Sequence, residues 1–117
     1  MRDRAAAERR GRTAERAAGW WLRLKGFRIL DRRVRTPVGE IDLIAKRGAL
    51  VAFVEVKSRA TDAELDFAID HRRMKRVAAA AEAVAHRYAG PADDIRIDVI
   101  LLAPGCRPRH LENVWHG

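Results

Sequence analysis

The sequence predicts an α/β domain of the order α-β-β-β-α-β, with a mixed central sheet flanked by helices. Two stretches repeat apolar side chains at helical spacing, and four stretches rich in Val, Ile, Leu and Phe indicate strands. Short links make the first three strands antiparallel neighbours, whereas a helix crosses over to the fourth strand, which favours parallel pairing. A chain of 117 residues has room for one hydrophobic core.

The first helix is predicted over Thr13–Lys25, where apolar side chains share one face and Gly26 supplies the left-handed residue that ends many helices. Residues 1–12 consist mostly of Ala and Arg and lack an apolar stripe. We therefore expect a flexible basic lead-in at 1–12, followed by a single domain at 13–117.

Three strands follow this helix. The first begins at Phe27, and residues 32–35 either extend it or start a loop before Pro37. The second strand covers Glu40–Lys46, and the third, Ala49–Lys57, is the clearest strand in the chain because it is rich in Val and Phe.

The second half of the chain supplies one helix and one long strand. The helix is predicted at His71–Tyr88 with Asp70 as its N-cap, after a loop at 58–70. The fourth strand covers Ile95–Leu102, and Leu111–Trp115 is a candidate for a short last strand.

The net charge of +8 indicates a polyanionic partner, and the excess lies in residues 1–35, which hold 12 basic and four acidic side chains. No apolar run approaches the ~20 residues of a membrane span, and the N-terminus lacks the apolar region of a secretory signal. Cys106 is the only cysteine, so the chain cannot form an internal disulfide. These features favour a cytoplasmic protein without a membrane partner.

Charged side chains interrupt the two most apolar strands. Phe53, Glu55 and Lys57 share one face of the third strand. If Arg47-Gly48 is the turn, Asp42 lies opposite Phe53, and a shift of the turn by one residue places Asp42 opposite Glu55. In both registers Asp42, Glu55 and Lys57 project from the same face. Charges on a covered strand cost several kcal/mol unless they are paired, hydrated or metal-bound.

Two carboxylates at this spacing suit a hard divalent cation, Mg²⁺ or Mn²⁺, to which the carbonyl of Val56 could add a ligand. Lys57 would orient or deprotonate an attacking water, or balance the charge of a scissile phosphate, while the cation polarises the phosphoryl oxygen. The residues thus predict a site for phosphodiester hydrolysis. The alternative is a surface ion pair between Glu55 and Lys57 on an amphipathic edge strand.

Two segments, Gly39–Ala45 (GEIDLIA) and Phe53–Arg59 (FVEVKSR), resemble the signature of the YraN-like bacterial family. That family consists of predicted endonucleases and is similar to the PD-(D/E)xK restriction-endonuclease-like superfamily and to archaeal Holliday-junction resolvases. The resemblance extends from about Gly11 to Leu102. It implies a restriction-endonuclease-like fold and a Mg²⁺-dependent (or Mn²⁺-dependent) endonuclease that acts on DNA, with branched DNA in repair or recombination as one substrate class.

Carried over residue by residue, the resemblance implies Asp42 and Glu55 as metal ligands, Lys57 as the catalytic lysine and Glu15 as the acid that completes the site. The superfamily's Pro-Asp pair is absent, because Ile41 precedes Asp42 here. The roles of two other acids, at positions 40 and 98, stay open, although position 98 favours a structural acid.

The predicted phosphate contacts are all arginines: Arg28, Arg33, Arg35, Arg59, Arg72, Arg73 and Arg76. The family often has Asn at position 33 and typically Lys at position 73. For the second helix, the alternative is a solvated face with local acidic partners.

Two further functions remain open beside an endonuclease. One is a non-catalytic nucleic-acid-binding module on the same fold, and the other is an interaction protein of the cell envelope or division machinery with an incidental basic surface. An enzyme that cuts both strands of a junction would be expected to form a homodimer, but the sequence does not indicate which surface would form the dimer.

Overall fold

The computed structural model describes residues 4–116, which form one five-stranded mixed sheet with helices on both faces. The elements, in chain order, are α1 (Arg4–Leu24), β1 (Arg28–Thr36), β2 (Gly39–Arg47), β3 (Leu50–Ser58), α2 (Asp62–Leu65), α3 (His71–Tyr88), β4 (Asp94–Leu102) and β5 (Arg109–Leu111). The strands lie in sequence order across the sheet; β3 and β4 are parallel, and the other neighbours are antiparallel. The predicted order and the mixed sheet are confirmed.

The hydrophobic core has two layers, one on each face of the sheet. On one face α1 buries Ala18 and Leu22 against β2, β3 and β4. On the other face α3 packs Val77 and Val84 around Phe53. Because both layers cover β2 and β3, any charged side chain in the middle of these strands is removed from water. Within residues 4–116, no helix is long and apolar enough to cross a bilayer.

The first helix begins at Arg4 and not at the predicted Thr13. Ala and Arg are strong helix formers, so intrinsic propensity extends the helix where the apolar stripe gives no signal. The predicted lead-in at 1–12 is therefore helical from residue 4, and residues 1–3 lie outside the described part of the chain. The predicted end is confirmed: Gly26 has a φ of 92°, and the Phe27 N–H donates to the Leu22 carbonyl.

The other boundaries differ from the prediction by small amounts. The first strand includes residues 32–35, which settles the choice between strand and loop. The N-cap at Asp70 is confirmed, because its carboxylate accepts a hydrogen bond from the Arg72 N–H at 2.9 Å. The last strand lies at Arg109–Leu111 and not at Leu111–Trp115, and the predicted loop contains the short helix α2.

The turn between β1 and β2 comes very close to α3. A Cβ added to Gly39 would lie 2.7 Å from the carbonyl oxygen of Arg76, so only glycine fits at this contact. The Thr36 hydroxyl closes the turn by accepting the Gly39 N–H and donating to the Gly39 carbonyl. The glycine that opens the GEIDLIA segment therefore sets the distance between β2 and α3.

A buried polar network holds the last strand in place. Asp98 is fully buried and accepts hydrogen bonds from Arg96, from the ring of His110 and from the Asn113 N–H. Burial alone would raise the pKa of Asp98, but these donors outweigh it and hold the pKa below its ordinary value. The second ring nitrogen of His110 lies 2.7 Å from Lys25 Nζ, which connects β5 to the end of α1.

Gly39→Ala should lower the free energy of unfolding by about 1–3 kcal/mol, because the new methyl group collides with the backbone of α3. Gly11→Ala is the matched control: an added Cβ meets nothing within 4 Å there, and the helix should gain about 0.5–1 kcal/mol. Urea denaturation of both variants measures the two changes. Equal midpoints for the two variants would contradict the close contact.

Asp98→Asn should lower the free energy of unfolding by about 1.5–3 kcal/mol, since Arg96 and His110 lose a buried carboxylate acceptor and Arg96 keeps only Glu112 as an acidic partner. Asp94→Asn, at the exposed first residue of the same strand, should change it by less than about 0.5 kcal/mol. The comparison is made by urea denaturation at neutral pH. Similar losses in both variants would show that the network does not stabilise the fold.

Candidate functional site

The ladder between β2 and β3 ends inside the sheet. Its register runs from Arg47↔Leu50 to Leu43↔Val54, which is the second of the two predicted registers. Asp42 and Glu55 are the next residues on their strands, so they face each other just beyond the last pair. On the other side of β2, Arg33 has a φ of 50°, and the pairing of β1 with β2 skips Arg33 and Asp42. The backbone thus opens where the two carboxylates lie.

Both carboxylates are buried and held by protein groups. Asp42 is 6% exposed and Glu55 is 1% exposed. Asp42 Oδ2 accepts the Val56 N–H at 2.7 Å, in place of a backbone carbonyl of β2. Glu55 Oε2 accepts a hydrogen bond from Arg73 Nε at 2.7 Å. The surface ion pair between Glu55 and Lys57 is therefore wrong, because β3 is a central strand and Arg73 pairs with Glu55.

The two acids do not ionise alike. Burial, together with a hydrogen bond and repulsion from Glu55, raises the pKa of Asp42 to about 8. Burial also opposes ionisation of Glu55, but the hydrogen bonds from Asp42 and Arg73 outweigh it and lower the pKa of Glu55. The raised pKa of Asp42 and the lowered pKa of Glu55 therefore favour a pair that shares one proton near neutral pH.

Lys57 is half-buried and lies two residues beyond Glu55 on β3. Its charge contributes to the lowered pKa of Glu55, after the stronger effects of Asp42 and Arg73. Among the side chains that the structure describes, at residue 9 and residues 11–116, its ammonium group has no hydrogen-bonding partner. The lysine is thus a cation near the acid pair with free donors.

The donor set suits a hard divalent cation with few protein ligands. Within the described residues, no three His, Cys, Asp or Glu side chains are close enough together to hold a metal. Mg²⁺ commonly binds one or two carboxylates and completes its shell with waters and substrate phosphates. Because the N–H and C=O of a strand residue point to the same neighbour, the Val56 carbonyl also faces the opening beside Asp42. Asp42, Glu55 and Val56 can therefore supply the oxygens that this cation needs.

Glu15 projects from α1 on the other side of the opening. Its carboxylate accepts Arg33 Nε at 2.8 Å, and the pair is partly exposed. Its charge adds a smaller contribution to the raised pKa of Asp42, after burial and Glu55. Glu15 therefore acts on the acid pair through its charge, while its direct contact is with Arg33.

Arginines line two clefts near the opening. The α3 cleft, ≈260 Å³, lies between the β1–β2 turn and α3, and contains Arg35, Arg73 and Arg76. The α1 cleft, ≈500 Å³, lies between α1 and β1, and contains Arg12, Arg16, Arg32 and Arg33 around Glu15.

Of the seven predicted phosphate contacts, the clefts bring together four, at positions 33, 35, 73 and 76. The other three, Arg28, Arg59 and Arg72, are exposed outside these clefts. Arg12 and Arg16 were not among the predicted contacts, whereas Arg32 lies in the basic stretch at 28–35, for which few acids compensate and phosphate contact is expected. The spacing of the first two on α1, four residues apart, was the available signal.

Comparison with known proteins gives consistent similarities. Residues 14–102 match the uncharacterised protein family UPF0102. A UPF0102 protein of Sphingopyxis alaskensis is 65% identical over 96% of this chain and 97% of its own length. Another, of Erythrobacter litoralis, is 67% identical over the same shares of both chains. A third, of Rhizorhabdus wittichii, is 60% identical over 100% of this chain and 99% of its own.

A solved structure shares the fold. Hjc, a Holliday junction resolvase from Archaeoglobus fulgidus, superposes with a TM-score of 0.58 at 19% sequence identity. The match covers 84% of this chain and 72% of Hjc. The mixed sheet with its flanking helices is therefore the resolvase fold.

Asp42→Asn should change how stability depends on pH. The pKa of Asp42 rises from 3.8 to about 8 on folding, so the folded protein takes up a proton and the free energy of unfolding falls as pH rises through this window. Asparagine keeps an acceptor for the Val56 N–H but cannot ionise. From about pH 5 to about pH 7, its stability relative to wild type should rise by up to ~1.4 kcal/mol per pH unit.

Urea denaturation across this pH range measures the difference. Asp94→Asn, at an exposed site, is the control and should keep a constant difference from wild type. A constant difference for Asp42→Asn as well would show that Asp42 ionises normally.

Proposed function

The chain belongs to the UPF0102 family, and we propose that it is a metal-dependent endonuclease that hydrolyses phosphodiester bonds in DNA. One observation carries the proposal: Asp42 and Glu55 face each other, buried, where the ladder between β2 and β3 ends. Burying two acids side by side is unfavourable, and the sheet places them directly beyond the last pair of the ladder between β2 and β3. The resolvase fold supports a nuclease of this type.

Asp42, Glu55 and the Val56 carbonyl would hold Mg²⁺ or Mn²⁺. When bound, such a cation polarises the scissile phosphoryl oxygen and lowers the pKa of a water. The proton on the Asp42 carboxyl must leave before that carboxylate can ligate, so cation binding should release a proton at neutral pH. Lys57 would use its free donors to hold the attacking water or a non-bridging phosphate oxygen. Glu15 would act on the acid pair from α1 through its charge, with its carboxylate bonded to Arg33.

DNA is the proposed partner because arginines border the opening on two sides. The α1 cleft and the α3 cleft present guanidinium groups, which match phosphate geometry. Arg28, Arg59 and Arg72 would extend this surface. The structural neighbour is a Holliday junction resolvase, so branched DNA is the first substrate to test.

Two further proposals follow from this function. Cutting both strands of a junction requires two sites, so we propose a homodimer. An enzyme that acts on bacterial DNA works in the cytoplasm, and we propose that location.

The second candidate is a non-catalytic nucleic-acid-binding module on the same fold. The contact between Arg73 and Glu55 favours it, because a guanidinium occupies the carboxylate that a cation would need. The two candidates differ in whether bound DNA is cut.

The purified protein should cleave a four-way junction in Mg²⁺ or Mn²⁺ and not in EDTA, with single-stranded and duplex DNA assayed in parallel. Asp42→Asn, Glu55→Gln and Lys57→Ala should each slow cleavage by at least about 100-fold. The first two variants lose a carboxylate ligand of the metal, and the third loses the ammonium group of the lysine. Lys75→Ala, at an exposed lysine on α3, should cleave at the wild-type rate.

Circular dichroism and DNA-binding assays accompany each variant. A folded wild-type protein that binds DNA but cuts none of these substrates would favour the binding module. Equal cleavage by wild type and all three site variants would place the chemistry elsewhere or in a contaminant.

A further inference from the structure

Arg73 holds Glu55 by one contact only. Its Nε donates to Glu55 Oε2 at 2.7 Å, and Glu55 is its only hydrogen-bonding partner among the side chains that the structure describes. Both terminal amino groups of the guanidinium therefore lack a partner within the described part of the chain. The Arg73 side chain is 39% exposed, whereas that of Glu55 is 2% exposed. One side of the guanidinium thus binds a buried carboxylate, and the other retains free donors.

The free donors of Arg73 lie beside a cleft with room for an anion. Arg73 lines the α3 cleft together with Arg35, Arg76 and Glu40. Glu40 is within 3.8 Å of Arg35, but no such acid pairs with Arg76 among the described residues. A phosphate in this cleft would meet guanidinium donors from both the hairpin and α3.

Charge balance sets the condition under which a cation can bind. With both carboxylates ionised, Asp42 and Glu55 are already balanced by Lys57 and Arg73 before any metal arrives. A divalent cation therefore adds two positive charges in excess at a buried site, where like charges repel more strongly than in water. A substrate phosphate supplies the negative charge that offsets this excess.

We propose that Arg73 is an exchangeable partner of Glu55 that couples cation binding to phosphate binding. A cation that takes Glu55 displaces the guanidinium, which then binds a phosphate of the substrate in the α3 cleft. The inference rests on the proposed function in one respect, that Glu55 is a ligand of the cation. Arg73 is thus a positioning residue. It allows the cation to bind Glu55 tightly only when a substrate phosphate is also present.

A similar arrangement occurs on the opposite side of the opening. Arg33 Nε contacts Glu15 at 2.8 Å, the Arg33 side chain is 44% exposed, and Arg33 lines the α1 cleft. Arg33 adopts a left-handed backbone conformation, which a β-strand residue adopts only under local constraint. Both acids that flank Asp42 therefore have an arginine partner that lines a cleft.

Calorimetric titration with Ca²⁺, without and with a four-way DNA junction, tests the coupling. Ca²⁺ is the probe because it takes the same hard oxygen ligands. For wild type, DNA should tighten Ca²⁺ binding by about tenfold or more, and Ca²⁺ should tighten DNA binding by the same factor in fluorescence anisotropy. Arg73→Gln should bind Ca²⁺ more tightly than wild type in the absence of DNA, and its coupling factor should fall toward one.

Two variants control the measurement. Arg87→Gln removes an exposed arginine at the far end of α3 and should keep both wild-type values. Arg73→Lys retains a charge and should keep most of the coupling. If circular dichroism shows that Arg73→Gln does not fold, Arg73→Lys is used for the test instead. Its shorter side chain should bind Glu55 less strongly, so Ca²⁺ should bind more tightly in the absence of DNA.

The outcomes separate the inference from the proposed function. If wild type shows coupling and the Arg73 variants leave both the DNA-free affinity and the coupling unchanged, the exchange is wrong while the endonuclease stands. Weaker Ca²⁺ binding by Arg73→Gln would make Arg73 a fixed structural support for Glu55. If wild type binds no Ca²⁺ with or without DNA, the inference and the metal-dependent function fall together.

Discussion

The hydrogen bond from the Val56 N–H to Asp42 Oδ2 holds the site together. An antiparallel ladder would give this N–H a backbone carbonyl of β2, but the ladder ends at Leu43↔Val54. A buried N–H without a partner is costly, so the opening persists because a side chain supplies the missing acceptor. The carboxylate is consequently fixed at the mouth of the opening, directly facing Glu55. One interaction thus satisfies the backbone N–H and positions the first acid.

The second acid depends on a different element. Glu55 belongs to the central strand of the sheet, and Arg73 reaches it from the first turn of α3. The position of α3 depends in turn on Gly39, whose missing side chain lets the hairpin approach the helix backbone. The glycine in the GEIDLIA segment and the glutamate in the FVEVKSR segment are therefore linked through α3, although the two segments carry no signal of this link.

Much of the site could be predicted because side chains alternate along strands. Asp42, Glu55 and Lys57 share a face in either register, so the uncertainty about the turn did not affect their grouping. The register between β2 and β3 could not be predicted, because the local sequence is compatible with either turn. Only the pairing observed in the sheet decides between them. The pairing of Arg73 with Glu55 could not be predicted, because it joins residues of a helix and a strand through tertiary packing. The helical residues 4–12 were not predicted, because the prediction relied on a repeating apolar pattern. These residues lack that pattern and form a helix through the intrinsic helix propensity of Ala and Arg.

Asp42 and Asp98 are both buried aspartates on central strands, yet their environments are opposite. Asp98 receives donors from Arg96, His110 and a backbone N–H, which hold its pKa low and complete its bonding. Asp42 receives a single backbone N–H and faces another acid, so its pKa rises to about 8. Burial is therefore not what distinguishes Asp42, the proposed functional acid, from Asp98, the structural one. The distinction is the shortage of hydrogen-bond donors at Asp42. A carboxylate whose oxygens can still accept partners is the one to which a cation can add favourable interactions.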